Sequence, residues 1–465
     1  MAGEKDIAAL QNLTPEEQLK AMGYEQELKR DLGFGDLLIY GLIFMVPIAP
    51  WAIFGSVYNE AHGMVPLVYF IGLIAMIFTA LSYSQMAKAI PMAGSVYNYV
   101  GKGLHKNAGF FAGWLILLDY ILVPTLLYVM AAESMIGIFP NTPRVLWALL
   151  FVVLNVAINL SGVSFLKWFN RVILVIEIFF VGWLLVIFVS ALNGGVIPDA
   201  NWSIKPFWNP EIMTPPLLAA ALSIAVLSFL GFDGISTLAE ETRGGRKTAG
   251  RAMVIALLIV AVLFISQTWL ASLLMGEFAV IPDEQIGNAF FEIIRQVAGN
   301  GVVNLFFLVN ILAVGIANAL AAQAACSRIL YSMSRDGQLP AFLHHINSRQ
   351  VPSYAIIFVA FISAILVTFF VGQIGTLSSM VNFGALSGFI LLHLTVIYFY
   401  SIKHKNKNIF LHLIVPIIGF LIISYVLINA GTEAQVAGLI WLALGFLLFL
   451  YYKKKGISIE MADEE

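Results

Sequence analysis

An apolar segment close to the N-terminus reads Gly41-Leu42-Ile43-Phe44-Met45-Val46-Pro47-Ile48-Ala49-Pro50 and is soon followed by Phe54-Gly55. It is hydrophobic enough to enter a membrane, yet it contains two prolines and two glycines. Proline removes a backbone donor and clashes with the preceding helical turn, and glycine makes a helix easy to unwind. The segment therefore predicts a membrane helix that is broken near its middle.

A second segment of the same kind lies in the sixth predicted span and reads Ser228-Phe229-Leu230-Gly231-Phe232-Asp233-Gly234. Either segment alone is explained equally well by an ordinary kink between packed helices. The two segments open successive blocks of five predicted spans, however, and this placement is typical of inverted-repeat transporters that bind substrate at the membrane midplane. We therefore predict that helices 1 and 6 are unwound around a binding site.

The composition excludes several classes of protein. Of the 465 residues, 60% are hydrophobic and 11% are charged, which a soluble domain cannot present to water without aggregating. The net charge of -2 gives no reason to expect a nucleic-acid partner, and the single cysteine, Cys326, excludes an internal disulfide framework. The sequence contains no P-loop pattern, which argues against an ATP-driven pump.

Windows of about 20 apolar residues predict an all-α integral membrane protein with about twelve transmembrane helices. The spans are residues 36–58, 64–88, 109–136, 144–163, 169–192, 215–239, 250–276, 301–331, 353–372, 376–401, 409–429 and 435–452. We divide the chain into an N-terminal tail (1–35), a first five-helix repeat (36–192), a second five-helix repeat (215–401), helices 11 and 12 (409–452) and a C-terminal tail (453–465).

The distribution of basic residues predicts the orientation. All but three of the 25 Lys and Arg residues lie in the tails or at one set of alternate loops. The three exceptions are Arg144, Lys205 and Arg295. Because cytoplasmic loops carry the excess of positive charge, we expect both tails to be cytoplasmic.

Three acidic residues fall inside predicted spans: Asp119, Glu177 and Asp233. A charge at the centre of a span costs at least about 2.5 to 3.5 kcal/mol, and neither Asp119 nor Glu177 has a basic residue three or four positions away. Each is either a protonated acid bonded between helices or a coupling site that exchanges a proton or cation. Asp233 is either a cap on the second half-helix or a proton sensor, and the two roles are compatible.

Other polar residues point to structure rather than chemistry. Glu240 and Glu241 lie beside a basic cluster and are interpreted as a solvated structural cluster or a gate. His344 and His345 have no acidic or thiol partners at ligand spacing, so we predict no metal site.

Four motifs occur in an order that resembles a known family. They are Pro91-Met92-Ala93-Gly94-Ser95-Val96-Tyr97, Gly113-Trp114 to Asp119-Tyr120, Ser228 to Asp233 with Glu240-Glu241-Thr242, and Ser334-Arg335-Asp336-Gly337-Gln338-Leu339-Pro340. Over nearly its whole length the chain is similar to the amino acid, polyamine and organocation permeases (the APC superfamily), and within them it looks most like the bacterial putrescine-importer type.

The resemblance implies a LeuT-type fold, in which five-helix inverted repeats are followed by two C-terminal helices, and transport by alternating access. It also implies that the backbone of both breaks binds the head group of the substrate, with Phe229 and Phe232 packed over it. The predicted substrate-binding residues are Val46, Pro47, Ile48, Ala49, Pro50, Asp119, Tyr120, Ser228, Phe229, Leu230, Gly231, Phe232 and Asp233.

At two positions this sequence departs from the family pattern, and these departures limit which residue roles the resemblance implies. Glu177 stands where proton-coupled relatives carry a lysine, so a carboxylate pair of Asp119 and Glu177 sharing one proton replaces the lysine mechanism, provided that the two are close enough to interact. Ala52 stands where putrescine importers carry an acid, which removes one attraction for a second amine.

We expect a proton-driven importer of a small amine, either an amino acid or a polyamine such as putrescine, in a bacterial-type plasma membrane. The proposed proton-coupling residues are Glu177, Asp119 and Asp233, and no cofactor or enzymatic activity is expected. Two alternatives stay open at this point: an exchanger of an amino acid against its decarboxylation product, and a nutrient receptor that binds without transporting. The sequence does not indicate an oligomeric state.

Overall fold

The structure is a computed structural model that describes Glu17 and residues 30–455, with gaps at residues 91, 93–94, 140, 162, 244–246 and 372–373. Most of the predicted N-terminal tail (1–35) and of the C-terminal tail (453–465) lies outside the described residues. So does part of the 91–97 motif.

The regular secondary structure of the described residues is helical, apart from one isolated β-bridge between Leu32 and Thr242. The α-helices are α1 (Phe34–Met45), α2 (Pro50–Glu60), α3 (Val65–Ala89), α4 (Val96–Gly103), α5 (Lys106–Ile138), α6 (Arg144–Asn159), α7 (Val163–Asn193), α8 (Pro215–Ala225), α9 (Gly234–Thr237), α10 (Lys247–Leu274), α11 (Asp283–Ile286), α12 (Ala289–Leu312), α13 (Ala319–Arg335), α14 (Ser353–Phe370), α15 (Ile374–Val396), α16 (Val415–Ile428) and α17 (Thr432–Lys455). Short 3-10 helices cover Val226–Phe229, Ala239–Glu241 and Ala341–His344, and π-helical turns cover Ala313–Asn318, Ile397–Lys403 and Phe410–Ile414.

The described chain contains ten helical segments long and apolar enough to cross a membrane, and the bent pair α1 and α2 makes an eleventh. This shows an all-α multi-pass membrane protein, as predicted. Helix α6 is apolar but has only 16 residues, which span about 24 Å at 1.5 Å per residue and fall short of a hydrocarbon core of about 30 Å. The count of twelve spans depends on α6 and stays a prediction.

Helix α5 lies at the centre of the bundle and α17 at its edge. The most apolar part of the α5 span is 83% buried, whereas that of α17 is 17% buried. The two helices are joined by Trp114 and Trp441, whose rings stack 4.4 Å apart and whose indole N–H groups each donate to the other's carbonyl at 2.7 Å. A central α5 places Asp119 and Tyr120 deep in the protein.

The first break lies between α1 and α2, whose axes differ by 52°. Val46 adopts φ 53° and ψ 103°, a left-handed conformation that a β-branched residue reaches only under strain. Gln267 of α10 holds the break: its Nε2 donates to the Pro47 carbonyl at 3.0 Å, and its Oε1 accepts from the Trp51 indole at 2.6 Å. The freed backbone is thus satisfied by a polar side chain from another helix.

The second break lies between α8 and α9, where the chain passes through a 3-10 turn and an extended Leu230. Gly231 has φ 116°, and a Cβ atom built on it would lie 2.8 Å from the Phe44 ring. The same ring would be 2.3 Å from a Cβ atom on Gly234. Both glycines are therefore required, because Phe44 of α1 packs directly on the backbone of the second break.

We expect Gly231→Ala to destabilise the protein by about 1 to 3 kcal/mol, because alanine is strained at this φ and its methyl group overlaps Phe44. Thermal unfolding of the detergent-purified variant measures this effect. Gly182→Ala is the matched control, since a Cβ atom at Gly182 meets nothing within 4 Å. An unchanged melting temperature for Gly231→Ala would contradict the packing described here.

Candidate functional site

A cavity of about 70 Å³ lies between the two helix breaks and is bounded by α5 and by the π-helical turn that precedes α13. A buried water needs about 10 to 15 Å³ on this measure, so the cavity has room for about five waters or a small organic molecule. Its walls are formed by Phe44, Met45, Val46, Ala49, Ala52, Ile53, Asp119, Tyr120, Val123, Leu126, Leu127, Met130, Leu227, Ser228, Leu230, Gly231, Asp233, Val314 and Asn318.

The structure brings eight of the thirteen predicted substrate-binding residues together around this cavity. They are Val46, Ala49, Asp119, Tyr120, Ser228, Leu230, Gly231 and Asp233. The five that do not line it are Pro47, Ile48, Pro50, Phe229 and Phe232. Ala52, where the resemblance leads us to expect an acid, also lies on the wall.

Phe229 and Phe232 point away from the cavity. Phe229 packs on Tyr69 and Phe264, with ring centroids 5.8 and 5.3 Å apart, and Ser228 beside it hydrogen-bonds Tyr69 at 2.9 Å. Phe232 packs on two rings of neighbouring helices, at 5.7 and 5.8 Å. In this conformation both phenylalanines anchor the second break from behind and do not cover the cavity.

Asp119 lies on the cavity wall. It is only 4% exposed, and no described residue donates a hydrogen bond to it. Gly384 of α15 packs on its backbone so closely that a Cβ atom would lie 2.7 Å from the Asp119 nitrogen. The backbone of Asp119 is therefore tightly packed, and its carboxyl group has no hydrogen-bond donor among the described residues.

Asp233 has partners within the site. Its carboxylate accepts from the Tyr120 hydroxyl at 2.6 Å and from the Gly231 N–H at 3.3 Å. Although Asp233 precedes α9, its side chain makes no capping hydrogen bond to that helix. Asp233 closes the turn of the second break, which differs from the helix-capping role considered from sequence.

The cavity wall carries acidic side chains but no basic ones. Asp119 and Asp233 are its two carboxylic acids, and its lining residues include no Lys, Arg or His. The carbonyls of Val46, Pro47 and Ile48 lie at the first break and accept from Ala49, Gln267 and Trp51, respectively. A carbonyl oxygen has a second lone pair, and Val46 is the one of these three residues that lines the cavity, so its carbonyl is a candidate acceptor for a bound cation.

Glu177 lies outside the cavity. It lies on the buried face of α7, where buried residues occur every three or four positions. These residues are Ile173, Glu177, Val181, Leu184 and Phe188. Both of its carboxylate oxygens are buried and have no hydrogen-bond partner. Asp119 lines the cavity whereas Glu177 does not, so a shared-proton pair of Asp119 and Glu177 stays a prediction.

Glu240 and Glu241 form a buried layer of ion pairs instead of a solvated cluster. Glu241 binds both the Nε and Nη2 atoms of Arg328, and Glu240 accepts from Arg335 at 3.1 Å. Both acids are almost fully buried. The chain before α1 joins this layer, because the Asp31 and Leu32 N–H groups donate to the Glu241 carbonyl at 3.0 and 2.9 Å.

Sequence reasoning missed three residues that shape the site: Gln267, Asn318 and Gly384. The first two are amides in otherwise apolar spans, which is a signal that a scan restricted to acids does not detect. Gly384 gives no such signal, since its role depends on the close approach of α15 to α5.

The chain matches the amino acid permease family over residues 36–450. It is 31% identical over 430 residues to the low-affinity putrescine importer PlaP of Escherichia coli K12, covering 90% of this chain and 93% of that protein. It is 26% identical to the branched-chain amino acid permease BcaP of Bacillus subtilis, with 94% and 96% covered. The methylthioribose transporter of Bacillus subtilis is also 26% identical, with 97% and 99% covered.

The family match covers most of the chain, and the relatives are carriers of small molecules rather than enzymes. The broken helices and the cavity between them agree with this classification. The chain is therefore a membrane transporter and belongs to the amino acid permease family within the APC superfamily.

Proposed function

We propose that this transporter imports a small ammonium compound, an amino acid or a polyamine, by proton symport and alternating access. The observation that carries the proposal is the buried carboxyl group of Asp119, which lines a cavity between two broken helices and has no hydrogen-bond donor among the described residues. A buried charge without a partner is costly, and a bound ammonium group supplies the missing partner.

Substrate binding follows from the chemistry of the wall. The ammonium group binds between Asp119 and Asp233, where the Val46 carbonyl is a further candidate acceptor. Tyr120 holds Asp233 in place through its 2.6 Å hydrogen bond. The relatives support this substrate class, since one is named as a putrescine importer and another as an amino acid permease.

Alternating access needs a closure on each side of the cavity. On the side of the chain tails, the closure is the layer of Glu240, Glu241, Arg328 and Arg335. On the opposite side, Trp51 of α2 packs on an aromatic cluster, with Phe290 stacked at 5.8 Å and Phe306 at 5.2 Å. Opening the first closure exposes the cavity to the cytoplasm, and opening the second exposes it to the outside.

Proton coupling is assigned to Glu177, together with Asp119 and Asp233. Glu177 is buried and both of its oxygens lack donors, which favours a neutral, protonated acid in this conformation. A group of this kind takes up a proton when water reaches it from one side and releases the proton on the other. The proposal includes a plasma-membrane location, cytoplasmic tails and LeuT-type repeats at 36–192 and 215–401.

Asp119→Asn tests the substrate site. Replacing the charge-assisted contact by a neutral one removes about 1.5 to 3 kcal/mol of binding free energy, so we expect the uptake of every transported amine, amino acid or polyamine, to fall tenfold or more in proteoliposomes. Asp199→Asn, on an exposed loop, is the matched control and keeps wild-type uptake. Wild-type uptake by Asp119→Asn would remove Asp119 as the amine partner.

Glu177→Gln tests the coupling site with a side chain of the same shape. We expect substrate binding to remain within about threefold of wild type, whereas accumulation driven by an inward proton gradient is lost. Glu133→Gln, which changes an acid at the protein surface that pairs with Arg144 at 2.8 Å, leaves both properties unchanged. Retained gradient-driven accumulation in Glu177→Gln would make Glu177 a structural residue.

A further inference from the structure

The cavity is polar at one end and apolar at the other. Its lining on α5 begins at Asp119 and Tyr120 and continues with Val123, Leu126, Leu127 and Met130. At 1.5 Å per residue this face extends about 16 Å along the helix. The two carboxyl groups therefore lie at one end, and the wall toward Met130 carries aliphatic and thioether side chains.

Asn318 is a polar residue in this otherwise apolar region, because its π-helical turn packs on the second half of α5, where a Cβ atom on Gly315 would lie 2.4 Å from Ala131. It ends the π-helical turn Ala313–Asn318, four residues after Val314, which also lines the cavity. Helical irregularities of this kind recur at functional sites. The side chain is 7% exposed, and its Oδ1 atom has no hydrogen-bond partner.

The amide of Asn318 differs from the other buried amides nearby. Asn310 donates to Ser134 at 3.1 Å, Asn155 donates to the Gly315 carbonyl at 2.9 Å, and Asn382 donates to the Ser223 carbonyl at 2.8 Å. The Oδ1 atoms of all four amides have no hydrogen-bond partner, and the side chain of Asn318 differs because its Nδ2 also makes no hydrogen bond to a described residue. Buried polar groups are nearly always bonded, so an amide left without a partner on a cavity wall points to a ligand.

We propose that Asn318 is a specificity-determining residue that binds a second polar group of the substrate, in addition to the ammonium group at Asp119. This inference rests on the proposed function and narrows its substrate class. A carboxamide presents either a carbonyl oxygen or an NH2 group, and therefore pairs with a hydroxyl, carbonyl or carboxylate.

A second ammonium group fits this end of the cavity poorly. Such a charge needs a carboxylate or several acceptors once it leaves water. The lining residues around Asn318 supply no acid, since the two carboxyl groups of the cavity are both near Tyr120. The favoured substrate is therefore an ammonium compound that carries a neutral or anionic polar group several carbon atoms away, such as an amino alcohol, rather than a diamine.

Calorimetric titration of the purified protein with three four-carbon probes tests this inference. The probes are aminobutanol, butylamine and putrescine, which share a chain and an ammonium group and differ only at the far end. We expect aminobutanol to bind about tenfold more tightly than butylamine, because only the hydroxyl pairs with Asn318, and putrescine to bind no better than butylamine.

Asn318→Leu removes the amide at similar volume and should abolish the preference for aminobutanol while butylamine binding stays within about twofold. Asn310→Leu is the matched control, since it removes a buried amide about two turns earlier and outside the cavity wall; its ratio of affinities stays as in wild type. Because the readout is a ratio of two probes, a general loss of stability does not imitate the effect.

Three results would overturn the inference: an unchanged ratio in Asn318→Leu, putrescine as the tightest of the three probes, or no measurable binding of any probe. An unchanged ratio or tightest binding of putrescine would not contradict the proposed function, provided that Asp119→Asn still abolishes amine uptake. The two proposals can therefore fail separately.

Discussion

The site depends on how the backbone groups freed by two broken helices find partners where water is absent. Each unpaired group costs several kcal/mol in lipid, so a broken span persists only if the protein supplies donors and acceptors. Gln267 supplies them at the first break, and the Asp233 carboxylate bonds the Gly231 N–H at the second. Phe44 then packs on the backbone of Gly231 and Gly234 and fixes the two breaks against each other.

The acids of the interior follow two different patterns. Glu240 and Glu241 are paired with arginines, and removing one partner of such a pair leaves a buried charge that is strongly destabilising. Asp119 and Glu177 have no donors among the described residues. The paired acids are suited to closing the cavity, and the unpaired acids are suited to binding a cation or a proton.

Much of this arrangement was predictable from the sequence. Proline and glycine marked both breaks, the energetic cost of intramembrane charge singled out Asp119 and Asp233, and apolar windows predicted the membrane helices. The directions of side chains within an unwound segment were not predictable, because they depend on local dihedral angles such as φ 116° at Gly231. Phe229 and Phe232 consequently face neighbouring helices rather than the cavity.

Long-range partners were also beyond the reach of the sequence. The burial of Glu241 depends on Arg328, 87 positions away, whereas the charges near Glu241 in the sequence suggested a solvated structural cluster or a gate. The five-helix repeats, the count of twelve spans and the orientation of the tails stay predictions, since they depend on α6 and on the position of the lipid bilayer.

The central claim is that this cavity carries an amine across the membrane together with a proton. Uptake of labelled putrescine, spermidine, and cationic and neutral amino acids into proteoliposomes, with and without an inward proton gradient, tests it most directly. The account predicts accumulation of at least one of these compounds above its external concentration only when the gradient is imposed. Flux that requires internal substrate, or binding without any flux, would contradict it and identify an exchanger or a receptor.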